Sequence, residues 1–190
     1  MVSRTERQKM LAGEMYLALD PELTAERQHA RHLTQLYNQT TEEEGEKRMQ
    51  LLKALFGAVG VDTVIEPPFH CDYGYNIFVG DGFFMNFGGI ILDCAEVRIG
   101  ANVLCGPNVQ LCAVSHPIDP ELRITVDGSM ALAAPITIGD RVWIGGGAII
   151  SAGVTIGDNT IIGIGSMVIQ DIPSNVIAAG NPCKVIRMLP

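Results

Sequence analysis

The sequence predicts a mainly β fold, a left-handed parallel β-helix of hexapeptide repeats behind an N-terminal α-helical cap, and three observations carry that reading. Ile138, Ile144, Ile150, Ile156, Ile162 and Val168 recur at every sixth position, and Gly follows four of the six. Two residues earlier in each repeat stand Ile136, Val142, Ala148, Val154, Thr160 and Ser166, small or apolar as a strand of period two requires. The N-terminal third follows a helical spacing instead. A period of six belongs to neither helix nor strand. Three hexads make one triangular coil whose aliphatic residues point inward, and glycine suits the tight corners because it tolerates φ > 0.

Taken in order, residues 1–60 are expected to form the helical cap and residues 61–190 the solenoid. Helical spacing runs from Thr5 to Leu19 (Met10, Tyr16, Leu17) and from about Thr24 to Ala58 (Leu33, Leu36, Tyr37, then Leu51, Leu52, Leu55, Phe56). Thr41 followed by Glu44 reads as a capping box opening the last helix. The cap would cover the open end of the solenoid, where terminal coils expose core and unpaired strands. Hexads then run through Val79, Met85, Ile91, Val97, Val103 and Val109, with a companion row at Ile99, Cys105 and Leu111, so the frame slips by two near Leu92 to Glu96. From Leu111 to Ile138 the repeat is interrupted. Residues 112–135, with Pro117, Pro120, Gly128 and Pro135, therefore form a loop extruded from one corner, and long loops inside compact domains are usually functional.

At 190 residues and 47% hydrophobic, the chain suits a single domain that buries its core without disulfides. Five cysteines without CxxC spacing argue against a disulfide framework or a zinc knuckle. No apolar run approaches the roughly 20 residues of a membrane span, and the opening Met1–Arg7 lacks the apolar core of a leader, so a cytoplasmic protein is expected. A net charge of -8 makes nucleic acid and anionic membranes poor partners. That charge lies in residues 1–135, with 18 acids and 10 bases; residues 136–190 balance Asp140, Asp158 and Asp171 against Arg141, Lys184 and Arg187, and there an anionic ligand is tolerated.

Of four histidines only His116 lies in the extruded loop, held by Pro117 and followed by Ile118, Asp119 and Pro120. An imidazole in that position is placed to act as a general base near pH 7.

Five stretches together resemble the maltose and galactoside O-acetyltransferases: the hexads, Lys9 to Tyr16 (KMLAGEMY), Glu66-Pro67-Pro68, Cys71 to Ile77 (CDYGYNI) and Ser115 to Pro120 (SHPIDP). The ending Ala179 to Ile186 (AGNPCKVI) is similar too, so the resemblance spans nearly the whole chain. It implies acetyl-CoA-dependent transfer to a hydroxyl of a sugar such as maltose, glucose or a galactoside, in a homotrimer whose active sites lie between subunits. His116 matches the family's catalytic histidine and Asn86 its active-site asparagine. Trp143 matches the tryptophan beside the pantetheine arm, and Lys184 and Arg187 match basic positions that meet the coenzyme phosphates. Asp72 and Asp93 fall where the family places polar residues around the acceptor, and Asp20 is a further candidate. The corner Gly145-Gly146-Gly147 offers backbone N–H groups to a developing oxyanion. Direct attack needs no acylated cysteine or serine and no metal.

Two departures bear on specificity. Gly128 to Pro135 (GSMALAAP) lacks the charged groups of many relatives' loops, giving a less hydrophilic acceptor pocket, and Gln170 stands where relatives carry lysine, predicting weaker coenzyme affinity. The alternatives are an acetyltransferase for a non-sugar or amino-sugar acceptor, or a non-enzymatic trimeric scaffold. A zinc hydratase on this fold needs three converging histidines, and the repeat region holds only His70 and His116. Flat faces carrying Trp143, Val142 and Ile149 supply a motive for trimerisation, because a lone prism would expose them.

Overall fold

The computed structural model describes residues 4–190; Met1–Ser3, part of the stretch read as lacking a leader core, lie outside the described residues. Three parallel sheets form the faces of a prism, and the chain visits them in rotation. The first face holds Ala58–Val59, Ile77–Val79, Val97–Ile99, Ile136–Ile138 and Thr155–Ile156. The second holds Val64–Ile65, Phe84–Met85, Leu104–Cys105, Trp143–Ile144, Ile161–Ile162 and Val176–Gly180, and is closed by the antiparallel Cys183–Met188. The third holds Phe69–Cys71, Gly89–Leu92, Gln110–Cys112, Ile149–Ser151 and Met167–Val168.

Inward residues stack in register from coil to coil. On the second face Met85, Cys105, Ile144, Ile162 and Ala178 form one such column, and all are buried. Each large aliphatic side chain so removed from water contributes roughly 1.5–3 kcal/mol. Thr160 and Ser166 are buried as well, and their hydroxyls donate to the carbonyls of Pro173 (2.8 Å) and Gly163 (2.7 Å), so neither is left unpaired. Val142 belongs to this interior. Its side chain is buried rather than displayed on a face, because it holds the inner position two residues before Ile144. The outer strip of the second face is formed instead by Val64, Phe84, Leu104 and Trp143.

The regular coils Ile138–Ile156 and Ile144–Ile162 repeat at eighteen residues, whereas Cys71, Ile91 and Leu111 stack at steps of twenty. The frame slip expected near Leu92 to Glu96 is present, and an equal one lies a coil earlier at Asp72–Asn76. Both sit on the edge joining the third face to the first. The extruded loop leaves from this same edge one coil further on, between Cys112 and Ile136. Three widened corners are thus stacked along one edge of the prism.

The loop is folded rather than irregular. Its strand Gly128–Ala133 pairs antiparallel with Val114–Ser115, with Ile124–Thr125 and with Tyr16–Leu17 of the cap, and the short helix Pro120–Arg123 fills the turn. Pairing with the loop explains a correction to the helical reading of Thr5 to Leu19. Helix α1 (Glu6–Leu11), with a capping box between Thr5 and Gln8, ends at Ala12, and Gly13 at φ 72° turns the chain into the strand Tyr16–Leu17. Helix α2 spans Pro21–Asn38 and α3 spans Gly45–Leu55. The capping box expected at Thr41 is half formed: Glu44 accepts the Thr41 N–H at 2.8 Å, but Glu44 itself is the N-cap and the Thr41 hydroxyl donates to its carboxylate.

Candidate active site

The widened edge, the folded loop and the cap enclose a cleft of about 240 Å³. Tyr16, Ala18 and Leu19 form its cap side, and Arg27 and Arg31 of α2 overhang it. Asp72, Tyr73 and Cys94 come from the two widened corners, and Val114, His116 and Ala131 from the loop.

His116 follows directly on the strand Val114–Ser115, and its ring Nδ1 lies 2.7 Å from the Met130 carbonyl oxygen. A carbonyl can only accept, so Nδ1 carries a proton, and in the neutral ring Nε2 is the nitrogen that keeps a lone pair. The turn that holds the ring is clamped by Arg123, whose Nε donates to the Pro117 carbonyl (3.0 Å) and whose Nη2 donates to that of Ile118 (2.7 Å). Sequence reading missed both partners. A backbone carbonyl leaves no mark on a sequence, and Arg123 looks like any exposed cation.

Asp93, expected beside the acceptor, is fully buried beneath the cleft. Its Oδ1 accepts the N–H groups of Tyr73 (2.8 Å) and Asp72 (3.1 Å), and the Asn76 amide donates to its carbonyl at 2.8 Å. It therefore shapes the corner that presents Asp72 and Tyr73. Burial pushes its carboxyl up to about 7, with a smaller contribution from the Asp72 charge, against the backbone N–H groups that lower it. Asp72 does reach the cleft, where the Cys94 thiol lies 3.4 Å from its Oδ2. Burial, assisted by Asp72, pushes the Cys94 thiol well up, so it is a poor nucleophile. Asp20 caps α2, its Oδ1 accepting from Glu22 (3.0 Å) and Leu23 (3.3 Å), while its neighbour Leu19 lines the cleft.

Arg27, Arg31, Tyr16 and Tyr73 were not singled out as site residues. Arg27 donates to the Tyr73 hydroxyl (2.7 Å) and lies over its ring, fixing that wall. The only sequence signal was the spacing of four between the two arginines, which reads equally as a solvated helix face.

The remaining candidates lie elsewhere on the prism. Asn86 and Gly146 occupy the edge between the second and third faces, at the corners following Phe84–Met85 and Trp143–Ile144. Asn86 Oδ1 accepts the Phe87 N–H at 2.7 Å. Gly145 and Gly147 donate their N–H groups to Ile162 and Pro107, and the Gly146 N–H between them has no acceptor among the described residues. Trp143 projects from the second face, half exposed at 51%, and Lys184 and Arg187 are exposed on the closing strand of the same sheet. Neither cation takes part in an ion pair among the described residues. One chain thus divides its candidates into two groups: His116 and Asp72 on one edge, and Asn86, Gly146, Trp143, Lys184 and Arg187 on the opposite face and its edge.

Two family profiles match the chain: the maltose acetyltransferase hexapeptide capping motif over residues 9–60 and the bacterial transferase hexapeptide (six repeats) over residues 135–170. The galactoside O-acetyltransferase of Escherichia coli K12 is 44% identical across 95% of this chain and 87% of its own length. A maltose O-acetyltransferase from Clostridium difficile 630 superposes with a TM-score of 0.95 at 49% identity, covering 100% of both chains. A galactoside acetyltransferase solved in complex with coenzyme A gives a TM-score of 0.93 at 42% identity, over 99% of this chain and 92% of its own.

Proposed function

The chain belongs to the maltose and galactoside O-acetyltransferase family of hexapeptide-repeat acetyltransferases, and on that premise we propose that it moves an acetyl group from acetyl-CoA to a sugar hydroxyl with His116 as general base. The observation that carries the mechanism is the Nδ1–Met130 hydrogen bond, which leaves Nε2 free to take a proton in an open cleft. A sugar hydroxyl is too weak an acid to attack unaided. Its proton passes to His116 Nε2 as the oxygen bonds to the thioester carbonyl carbon, and the C–S bond then breaks with CoA leaving as the thiol after taking that proton from the imidazolium. Such general-base assistance is worth roughly 10²- to 10⁴-fold. Asp72 accepts from a neighbouring acceptor hydroxyl and so orients the ring. With the cleft thiol held protonated by burial, direct transfer without an acyl-enzyme is the simpler route.

The second face suits the coenzyme. Trp143 offers an exposed apolar surface to the pantetheine arm, Lys184 and Arg187 offer unpaired cations to phosphates, and the Gly146 N–H is a free donor for the carbonyl oxygen. Acetyl-CoA supplies the acetyl group as an activated thioester. Because these groups and His116 lie on different edges, a site containing both is completed by packing the second-face edge of one subunit against the loop of another. The exposed apolar strip of Val64, Leu104 and Trp143 supplies a reason for such packing, and a closed trimer satisfies it.

The test is release of the CoA thiol from acetyl-CoA with glucosides, galactosides, maltose and amino sugars, run beside His116→Ala. Release that requires a sugar and falls about 10²- to 10⁴-fold in the variant, with acetyl-CoA binding kept, is the expected result. Acetyl-CoA binding without release to any sugar would discard the sugar assignment.

A further inference from the structure

Beside the His116 cleft lies a larger cavity of about 600 Å³, and Arg31 and Asp72 line both. These two residues do not close the gap between the cavities with an ion pair. The larger cavity runs between α2 and the outer side of the third face, where His70 and Leu92 form its floor. Its helical wall is fixed: Asn38 grips the strand Phe69–Cys71 from both amide atoms, donating to the Phe69 carbonyl (2.9 Å) and accepting its N–H (2.8 Å).

The spacing of the residues on that wall is informative. Arg27, Arg31 and Gln35 of α2 and Gln39, its C-cap, follow one another at steps of four, so they form a single row that begins over the His116 cleft and runs along the wall of the larger cavity. At 1.5 Å per residue, Arg31 to Gln39 covers about 12 Å. The side chains of Gln35, Gln39 and His70 are exposed and make no hydrogen bond among the described residues. Neutral amides each offer donors and an acceptor, the pairing that hydroxyl groups satisfy, and the cavity is lined by no carboxylate, lysine or arginine besides Arg31 and Asp72.

We infer that the two cavities form one groove and that the natural acceptor is an oligosaccharide: one sugar unit sits at His116, and the units beyond it lie along the amide row of α2. The inference rests on the sugar O-acetyltransferase reading above and adds the length of the acceptor to it. Gln35 and Gln39 then select for length without touching the reacting atoms.

The experiment compares kcat/KM for glucose, maltose, maltotriose and maltotetraose, and for the matching N-acetylglucosamine series, in the wild type and in Gln35→Ala/Gln39→Ala. Each unit that reaches the amide row should raise kcat/KM by about 3- to 10-fold, the worth of one hydrogen bond. The double variant should lose that gain while keeping the monosaccharide value and its sedimentation coefficient. A rate independent of length in both series, or a gain that survives in the double variant, overturns the groove and leaves the monosaccharide transferase standing. A changed sedimentation coefficient would make this wall a subunit contact and overturn it equally. Absence of transfer to every sugar overturns the sugar reading and the groove together.

Discussion

At His116, the proposed general base, one hydrogen bond sets the tautomer, because the Met130 carbonyl occupies Nδ1 and leaves Nε2 as the proton acceptor of the neutral ring. The ring keeps that pose only while its turn is held, and Arg123 holds it through the carbonyls of Pro117 and Ile118. Arg123→Ala should therefore lower kcat/KM about 10-fold, in keeping with the loss of one or two charge-assisted bonds, while acetyl-CoA affinity measured by calorimetry stays unchanged. Equal losses in both quantities would assign Arg123 to general stability. Asp93 acts on the opposite wall, and its burial has a pH signature. A carboxyl raised from its ordinary range to about 7 favours folding when protonated, so its contribution is full below about pH 4, falls as pH rises and levels off above about 7. The urea midpoint of the wild type, taken relative to Asp93→Asn, should decline across that window. Parallel midpoints from pH 4 to 8 would refute it.

At the scale of the elements, the corners are as demanding as the core. A Cβ added at Gly145 would lie 2.6 Å from the backbone nitrogen of Ile164 in the next coil, whereas one added at Gly45, the first residue of α3, meets nothing within 4 Å. Gly145→Ala should cost about 1–3 kcal/mol and lower the melting midpoint by roughly 2–12 °C, and Gly45→Ala should be neutral or stabilising. Equal melting midpoints for the two would contradict the close stacking of the corners. The regular coils from Ile138 to Val168 were legible because every inward residue repeats in one frame. The slip at Leu92–Glu96 could be read because hexads lie on both sides of it. The equal slip at Asp72–Asn76 could not, since little repeat precedes it to define a frame. Tyr16–Leu17 kept helical spacing yet became a strand, because its partner Met130–Ala131 lies more than a hundred residues away and tertiary pairing overrides local pattern. The same distance hid the site's construction. The place of His116 in the loop beside the cleft was legible, but the burial of Asp93, the clamp by Arg123 and the overhang of Arg27 and Arg31 depend on which segments the fold stacks together.

At the scale of the whole molecule, the prism presents the proposed base on one edge and the proposed coenzyme groups on another face, so under the proposed mechanism a lone chain holds two half-sites. The proposed homotrimer joins them. That claim predicts complementation between two variants that are each inactive for different reasons: His116→Ala, which lacks the base, and Lys184→Glu/Arg187→Glu, whose changes are at exposed positions off the apolar strip and remove the coenzyme cations. The decisive measurement is acetyl transfer by mixed oligomers of these two variants, with their co-assembly confirmed by differential tags. If sites form between subunits, some contain an intact His116 from one chain and an intact second face from the other, and activity reappears at a fraction of the wild-type level. Mixed oligomers that assemble yet remain as inactive as either parent would show that each chain uses its own groups, and would contradict the shared site.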